Sequence, residues 1–223
     1  MNRARQPLRA IQNYFPRALQ PAALLFAFLF FFPHPIFAQN ETKNLLVAFE
    51  NSYSMEDKAD YSRAIRTLKD VYQENSYEIN LRLGWLHYLA GLHIESINYY
   101  QKAIKLRPYS IEPKFGYVLP AAAMGNWTQV MYQYQGILKI DPLNTLANYR
   151  MGQIYYNKKD YLQAEKYLEK VVNLYPFDYD ANLLFGWTSF KLGKLREAKV
   201  LFTKVLLNKP KDDSAMEGLS LIK

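Results

Sequence analysis

Pro108, Pro142, Pro176 and Pro210 each stand 34 residues from the next. Proline inside a helix costs about 3 kcal/mol, so a regular series of prolines marks places where helices have already ended. An interval of 34 is the length of a helix–turn–helix unit. Each side chain can therefore be compared with its counterpart one unit away.

The segment DYLQAEKYLEKVVNLYP, Asp160 to Pro176, shows how one unit is written. Asp160 can cap a helix, with Gln163 reaching back three residues later as in a capping box. Ala164, Leu168, Val171 and Val172 fall at i, i+4, i+7 and i+8, one apolar helical face. The preceding run, NTLANYRMGQIYYNKK, places Met151, Gly152 and Tyr155 on one face of a first helix. One unit on, Gly152 becomes Gly186, Ala164 becomes Ala198, Leu168 becomes Phe202 and Val171 becomes Val205. Two units back stand Gly84, Ser96, Tyr100 and Ala103. Glycine in a helix costs about 1 kcal/mol, so its recurrence calls for a packing reason. Small residues let two helices approach, and the larger residue four positions after each alanine or serine can fill the gap.

This pattern resembles the tetratricopeptide repeat family. The residues that carry the likeness are Leu83-Gly84, Ser96, Tyr100, Ala103 and Pro108; Met151-Gly152, Tyr155, Ala164, Leu168 and Pro176; and Phe185-Gly186, Gly193, Ala198, Phe202, Val205 and Pro210. The resemblance implies an all-α fold: a right-handed α-solenoid of about five stacked helix–turn–helix repeats, a concave groove and a C-terminal capping helix. The expected boundaries are a degenerate repeat at 45–76, repeats at 77–110, 111–144, 145–178 and 179–212, and a capping helix at 213–223, opened by Asp212-Asp213. The repeat at 111–144 departs from the pattern: Val118 and Val130 hold the small positions, and Pro120 predicts a kink in its first helix. The first unit has Ser52 for the glycine and lacks the closing proline.

Residues 1–38 differ in kind. Arg3, Arg5, Arg9 and Arg17 precede an apolar run of 11 residues, Ala22 to Phe32, and Ala38 lies before polar Gln39-Asn40. A basic start, a short apolar middle and a small residue before a polar stretch describe a secretory signal peptide, whereas a membrane-spanning helix needs about 20 residues. The expected location is exported, periplasmic or at the cell surface, with a short linker at 39–44 and membrane contact only through the N-terminal segment if it is retained. Four of the 28 basic residues and no acid fall in residues 1–38, so the formal +8 becomes +4 for the remainder. That excess looks spread along the chain, which argues against a nucleic-acid partner.

No catalytic constellation is present. The chain has no cysteine, and His87 and His93 lack the companions of a metal site, so no cofactor, metal or small-molecule substrate is expected. Each first helix carries a second stripe at i, i+4 and i+7: Phe49, Tyr53, Glu56; Leu81, Trp85, Tyr88; Phe115, Leu119, Ala122; Tyr149, Gln153, Tyr156; Leu183, Trp187, Phe190. Arg82, Arg150 and Lys191 stand beside it. The resemblance places this stripe on the concave wall, as a groove for a protein or peptide segment. The alternative expectation is burial between repeats, with the protein working through its convex surface and edges as a subunit of an envelope or secretion assembly.

Overall fold

The described residues of the computed structural model, 36–222 with side chains from residue 41, form eleven α-helices and no strand. They are α1 (Ile36–Asp57), α2 (Tyr61–Lys69), α3 (Tyr77–Leu89), α4 (His93–Leu106), α5 (Glu112–Ala123), α6 (Trp127–Ile140), α7 (Thr145–Asn157), α8 (Tyr161–Leu174), α9 (Tyr179–Lys191), α10 (Leu195–Asn208) and α11 (Asp213–Ser220). Consecutive helices pair as antiparallel hairpins, A helix then B helix. The A helices of neighbouring repeats also touch, α3 with α5, α7 with α9 and α9 with α11, and no comparable contact joins successive B helices among the described residues. The A helices therefore form the inner wall of the solenoid and the B helices its outer wall.

Capping begins most of the helices. Asp60, Ser76, Asn126, Asn144, Asp160, Asp178 and Asp212 each accept a hydrogen bond from the backbone N–H three residues on. The expected capping box at Asp160 and Gln163 forms only by half. The Asp160 N–H donates to the Tyr155 carbonyl instead, so no orphan donor is left for Gln163 to satisfy. The expected linker at 39–44 is helical, because α1 begins at Ile36 and runs through it. The expected signal segment lies outside the described residues up to 35. Pro120 is buried within α5, which continues past it to Ala123.

The glycines show how hairpins close. The Tyr100 ring lies 3.0 Å from where a Cβ on Gly84 would stand, the Leu168 side chain 2.6 Å from one on Gly152, and the Phe202 ring 2.7 Å from one on Gly186. Each is the residue four after the small Ser96, Ala164 or Ala198 on the facing B helix. The middle repeat works differently from the expectation based on Val118. Its A helix keeps a glycine two residues earlier, Gly116, and a Cβ there would fall into the Tyr100 ring. Gly218 in α11 meets Phe202 in the same way. Both aromatic rings are thus clamped between two glycines, one in their own repeat and one 16 residues later.

A second periodic device fastens the loops between repeats. Asn80 donates to the carbonyls of Glu74 and Ser76, Asn148 to those of Pro142 and Asn144, and Asn182 to those of Pro176 and Asp178. In the divergent repeat the same position is Lys114, whose Nζ donates to the carbonyls of Pro108 (2.5 Å) and Ser110 (2.9 Å). Burial pushes the Lys114 amine below its ordinary pKa. A buried carbonyl left without a donor costs about 1–3 kcal/mol. Lys114→Met is expected to lose roughly that much, and Lys114→Asn to lose less because it restores the donor of the other repeats. Urea denaturation of both variants checks this, and a Lys114→Met protein as stable as wild type would show the staple to be idle.

Candidate partner-binding groove

The inner wall is built from one face of each A helix, and the expected site residues divide there into three groups. Phe49, Trp85, Tyr88, Phe115, Tyr149, Tyr156, Trp187 and Phe190 are half-buried, and all but Trp85 and Tyr88 pack partly against the buried apolar clusters. Tyr53, Arg150 and Lys191 are exposed. Arg82 is buried.

The burial of Arg82 corrects its expected place at the groove edge. Its guanidinium donates through Nε to Ser52 Oγ (3.1 Å), pairs through Nη1 with Glu56, and stacks over the Tyr53 ring at 3.9 Å. The reason is local. Glu56 faces the arginine from the end of α1, where later repeats carry Tyr88 or Phe190, so the charge finds an internal partner. Ser52, in the position that glycine holds in other units, supplies the second acceptor.

Both tryptophans of the stripe are also fasteners. Trp85 Nε1 donates to Glu56 Oε1 at 2.9 Å, joining the first repeat to the second. Trp187 Nε1 donates to Ser214 Oγ at 2.9 Å, joining the last repeat to α11, and its ring meets Phe202 edge-on at 5.1 Å. Their ring faces border the groove while their polar ends are already satisfied. Either tryptophan→alanine change would therefore loosen the array as well as the groove, and the pair cannot serve as clean probes of binding.

The polar groups left open on the inner wall lie mainly in the rear half. Arg150 donates to Gln153 Oε1 at 3.0 Å, an exposed pair on α7. Lys191 stands over the Phe190 ring at 5.8 Å on α9. Tyr156 meets Tyr161 edge-on at 5.5 Å, and burial raises its hydroxyl pKa. The surface is thus aromatic, ringed by two cations and an amide.

The histidines have structural surroundings. Nδ1 of His87 donates to the Leu83 carbonyl at 2.7 Å, its ring lies 4.8 Å from Tyr99, and burial lowers its pKa. His93 begins α4 rather than lying in the turn, with its ring 5.9 Å from Tyr88. Asp212 caps α11 and also accepts from the Tyr179 hydroxyl (2.6 Å) and Lys209 Nζ (2.9 Å), which hold its carboxyl down at about 2. That network ties the last repeat to α11. Among the described residues no group of three or more acids or histidines could hold a metal ion. No helix among them is long and apolar enough to cross a membrane.

Sequence reading missed the loop staples and the second glycine series. Both had a signal. Asn80, Lys114, Asn148 and Asn182 are spaced by 34, and Gly116 and Gly218 stand 16 residues after the two B-helix aromatics they admit.

Comparison with known proteins follows the same register. Two tetratricopeptide repeat profiles match, one over residues 56–111 and one over residues 146–178. No curated protein matches the chain in sequence. Among solved structures, a tetratricopeptide repeat protein from Parabacteroides merdae superposes with a TM-score of 0.68 at 21% identity, covering 79% of this chain and 71% of its own. MamA superposes with a TM-score of 0.65 at 21% identity, covering 77% of this chain and 95% of its own. YrrB, described as a tetratricopeptide repeat protein with an unusual peptide-binding site, gives a TM-score of 0.65 at 14% identity, covering 82% and 96%. At these identities the structural likeness is one of fold. The profile matches, lying on the helices and glycine–side-chain packing described above, identify tetratricopeptide repeats at residues 56–111 and 146–178 of this chain.

Proposed function

We propose that the protein is an exported, non-enzymatic adaptor that holds a segment of another protein against its inner wall. The observation that carries this reading is the run of half-exposed aromatic side chains along successive A helices, Trp85 and Tyr88 through Phe115 and Tyr149 to Tyr156, Trp187 and Phe190. Rigid aromatic surface gives large contact area with few rotors to freeze. Arg150, Gln153 and Lys191 add donors for the carbonyls of a peptide. Arg82 is excluded from that role because its donors are engaged within the fold or buried. YrrB, of the same fold, is described as having a peptide-binding site, which supports a peptide as the type of ligand. Export rests on the sequence of residues 1–38.

The absence of cysteine makes site-specific crosslinking clean. A photo-crosslinker attached through Gln153→Cys on the inner wall is expected to give a discrete adduct with a second polypeptide in extracts of the native host. Arg150→Glu with Lys191→Glu should reduce that adduct several-fold while leaving helicity unchanged, since exposed substitutions shift stability by only about 0.5 kcal/mol. Adducts formed from Gln135→Cys on the outer helix α6, and not from position 153, would move the contact to the outer wall and support the role as an assembly subunit.

A further inference from the structure

The outer wall carries a charge pattern that the linear sequence conceals. Although the +4 excess looks spread along the chain, the fold gathers it. The B helices α2, α4, α6, α8 and α10 hold eleven basic and four acidic residues, while the A helices, α11 included, hold five basic and nine acidic. Two of those five, Arg82 and Lys114, are buried and spent on internal acceptors.

The pattern sharpens on one stripe. On each of α4, α6, α8 and α10, take the positions i, i+4, i+8 and i+11 starting at Ile94, Thr128, Leu162 and Arg196. They lie on one face of each helix. None of these sixteen positions is acidic. Lys102, Lys105, Lys139, Lys166, Lys170, Arg196 and Lys204 all fall on the stripe; Lys102 pairs with Glu74 at 3.3 Å, and none of the other six forms a salt bridge. Between them stand Ile94, Tyr132, Leu162, Val200 and Leu207, from 53% to 69% exposed. Glu95, Glu165 and Glu197 lie off the stripe, whereas exposed Glu169, seven residues after Leu162, borders it; two of the four are already engaged, Glu165 with Lys194 and Glu197 with the Ser189 hydroxyl.

We propose that this outer face rests on an anionic lipid bilayer. Free cations alone would suit any polyanion. Aliphatic side chains are wasted on a nucleic acid, which recruits aromatic rings and cations, whereas a bilayer interface takes up both the aliphatic tips and the lysines. Tyr132 has the amphipathic ring favoured at that depth. The inner wall faces away from the bilayer in this arrangement and stays open to a polypeptide, so the two surfaces work independently.

The test uses the full chain, cysteine-free except for one introduced residue. Leu162→Cys carries an environment-sensitive nitrobenzoxadiazole label on the outer stripe, and Asp180→Cys carries it on A helix α9 as a control. Both proteins are mixed with phosphatidylcholine vesicles, with vesicles containing about one-third phosphatidylglycerol, and with duplex DNA. Any effect of the N-terminal segment on vesicle recruitment is common to all proteins, so the label reports only the local face. The label at 162 is expected to shift to the blue and brighten on the anionic vesicles, to revert in high salt, and to stay water-like on neutral vesicles; the label at 180 should not respond. Each cation near an anionic surface contributes about five-fold to partitioning, so Lys166→Glu, Lys170→Glu and Lys204→Glu, which remove three cations and add three anions, should together raise the lipid needed by at least about a hundred-fold. An unresponsive label at 162, an equal response on neutral vesicles, or a response that survives the triple reversal would overturn the proposal. A response to DNA without one to anionic vesicles would replace it with a nucleic-acid surface.

Discussion

Gly116→Ala is expected to destabilise the protein, although the same change in an ordinary exposed helix would stabilise it by about 1 kcal/mol. The added methyl would occupy the space of the Tyr100 ring, which cannot retreat because Gly84 and helix α3 close its other side. Tyr100 is only 2% exposed. Overpacking of this kind costs about 1–3 kcal/mol or more, and here it adds to the separation of two repeats. A net loss of about 3 kcal/mol would lower Tm by roughly 6–12 °C in a domain of this size. The fold itself supplies the rescue. At the corresponding positions one repeat unit pairs Leu168 with Leu184, so a smaller B-helix residue tolerates a side chain 16 positions on. Tyr100→Leu in the Gly116→Ala background should therefore be more stable than the single glycine variant. A thermal melt in which Gly116→Ala matches or exceeds wild type would show that the ring is not clamped.

This pair also explains how much of the fold was legible in the sequence. Hairpins, turns and the first glycine series could be read because they recur in place: Gly84, Gly152 and Gly186 keep a strict register with Pro108, Pro176 and Pro210. Gly116 was passed over because a comparison by period asks what stands at position 118, and finds valine. Gly116 stands two residues away on the same helix, in register with Gly218, and it admits the Tyr100 ring of the preceding repeat rather than a side chain of its own B helix. Lys114 escaped notice for a related reason. Its chemistry, two donated hydrogen bonds to loop carbonyls, is that of asparagine at 80, 148 and 182, while its residue type suggests a solvated charge. Periodicity identifies which positions are equivalent; it does not identify side chains that reach the same acceptors by different means.

The groove was legible only in outline for a different reason. A stripe at i, i+4 and i+7 states which side chains share a face, and the aromatics along it do. What each polar end on this face does depends on residues 26–29 positions away, such as Glu56 for Trp85 and Arg82, and Ser214 for Trp187. Those partners come from the degenerate first repeat and the terminal helix, where the register is weakest. Repeat ends lack a neighbour on one side and are stabilised by specific polar contacts instead.

Glu56→Gln tests that account of the first repeat. The substitution keeps the shape of the side chain and an oxygen for Trp85 Nε1, but removes the charge that faces Arg82. The arginine side chain is 7% exposed and Glu56 24%, so neither water nor salt can substitute fully for the lost partner. Removing one member of a buried ion pair costs about 3–5 kcal/mol, because it strands the other charge. With Glu56 partly open, a loss of about 2–4 kcal/mol is expected, read as a lower urea midpoint with an unchanged slope. The neighbouring repeats indicate what should rescue it. The place of Arg82 is taken by Gly116 in the next unit and by Leu184 in the fifth, so an apolar side chain there is compatible with the inner wall. Arg82→Leu added to Glu56→Gln should return most of the lost stability, since replacing both members of a buried pair by uncharged groups is often close to neutral. If the double variant is instead less stable than Glu56→Gln alone, Arg82 holds the first repeat through Ser52 and the Tyr53 ring rather than through charge.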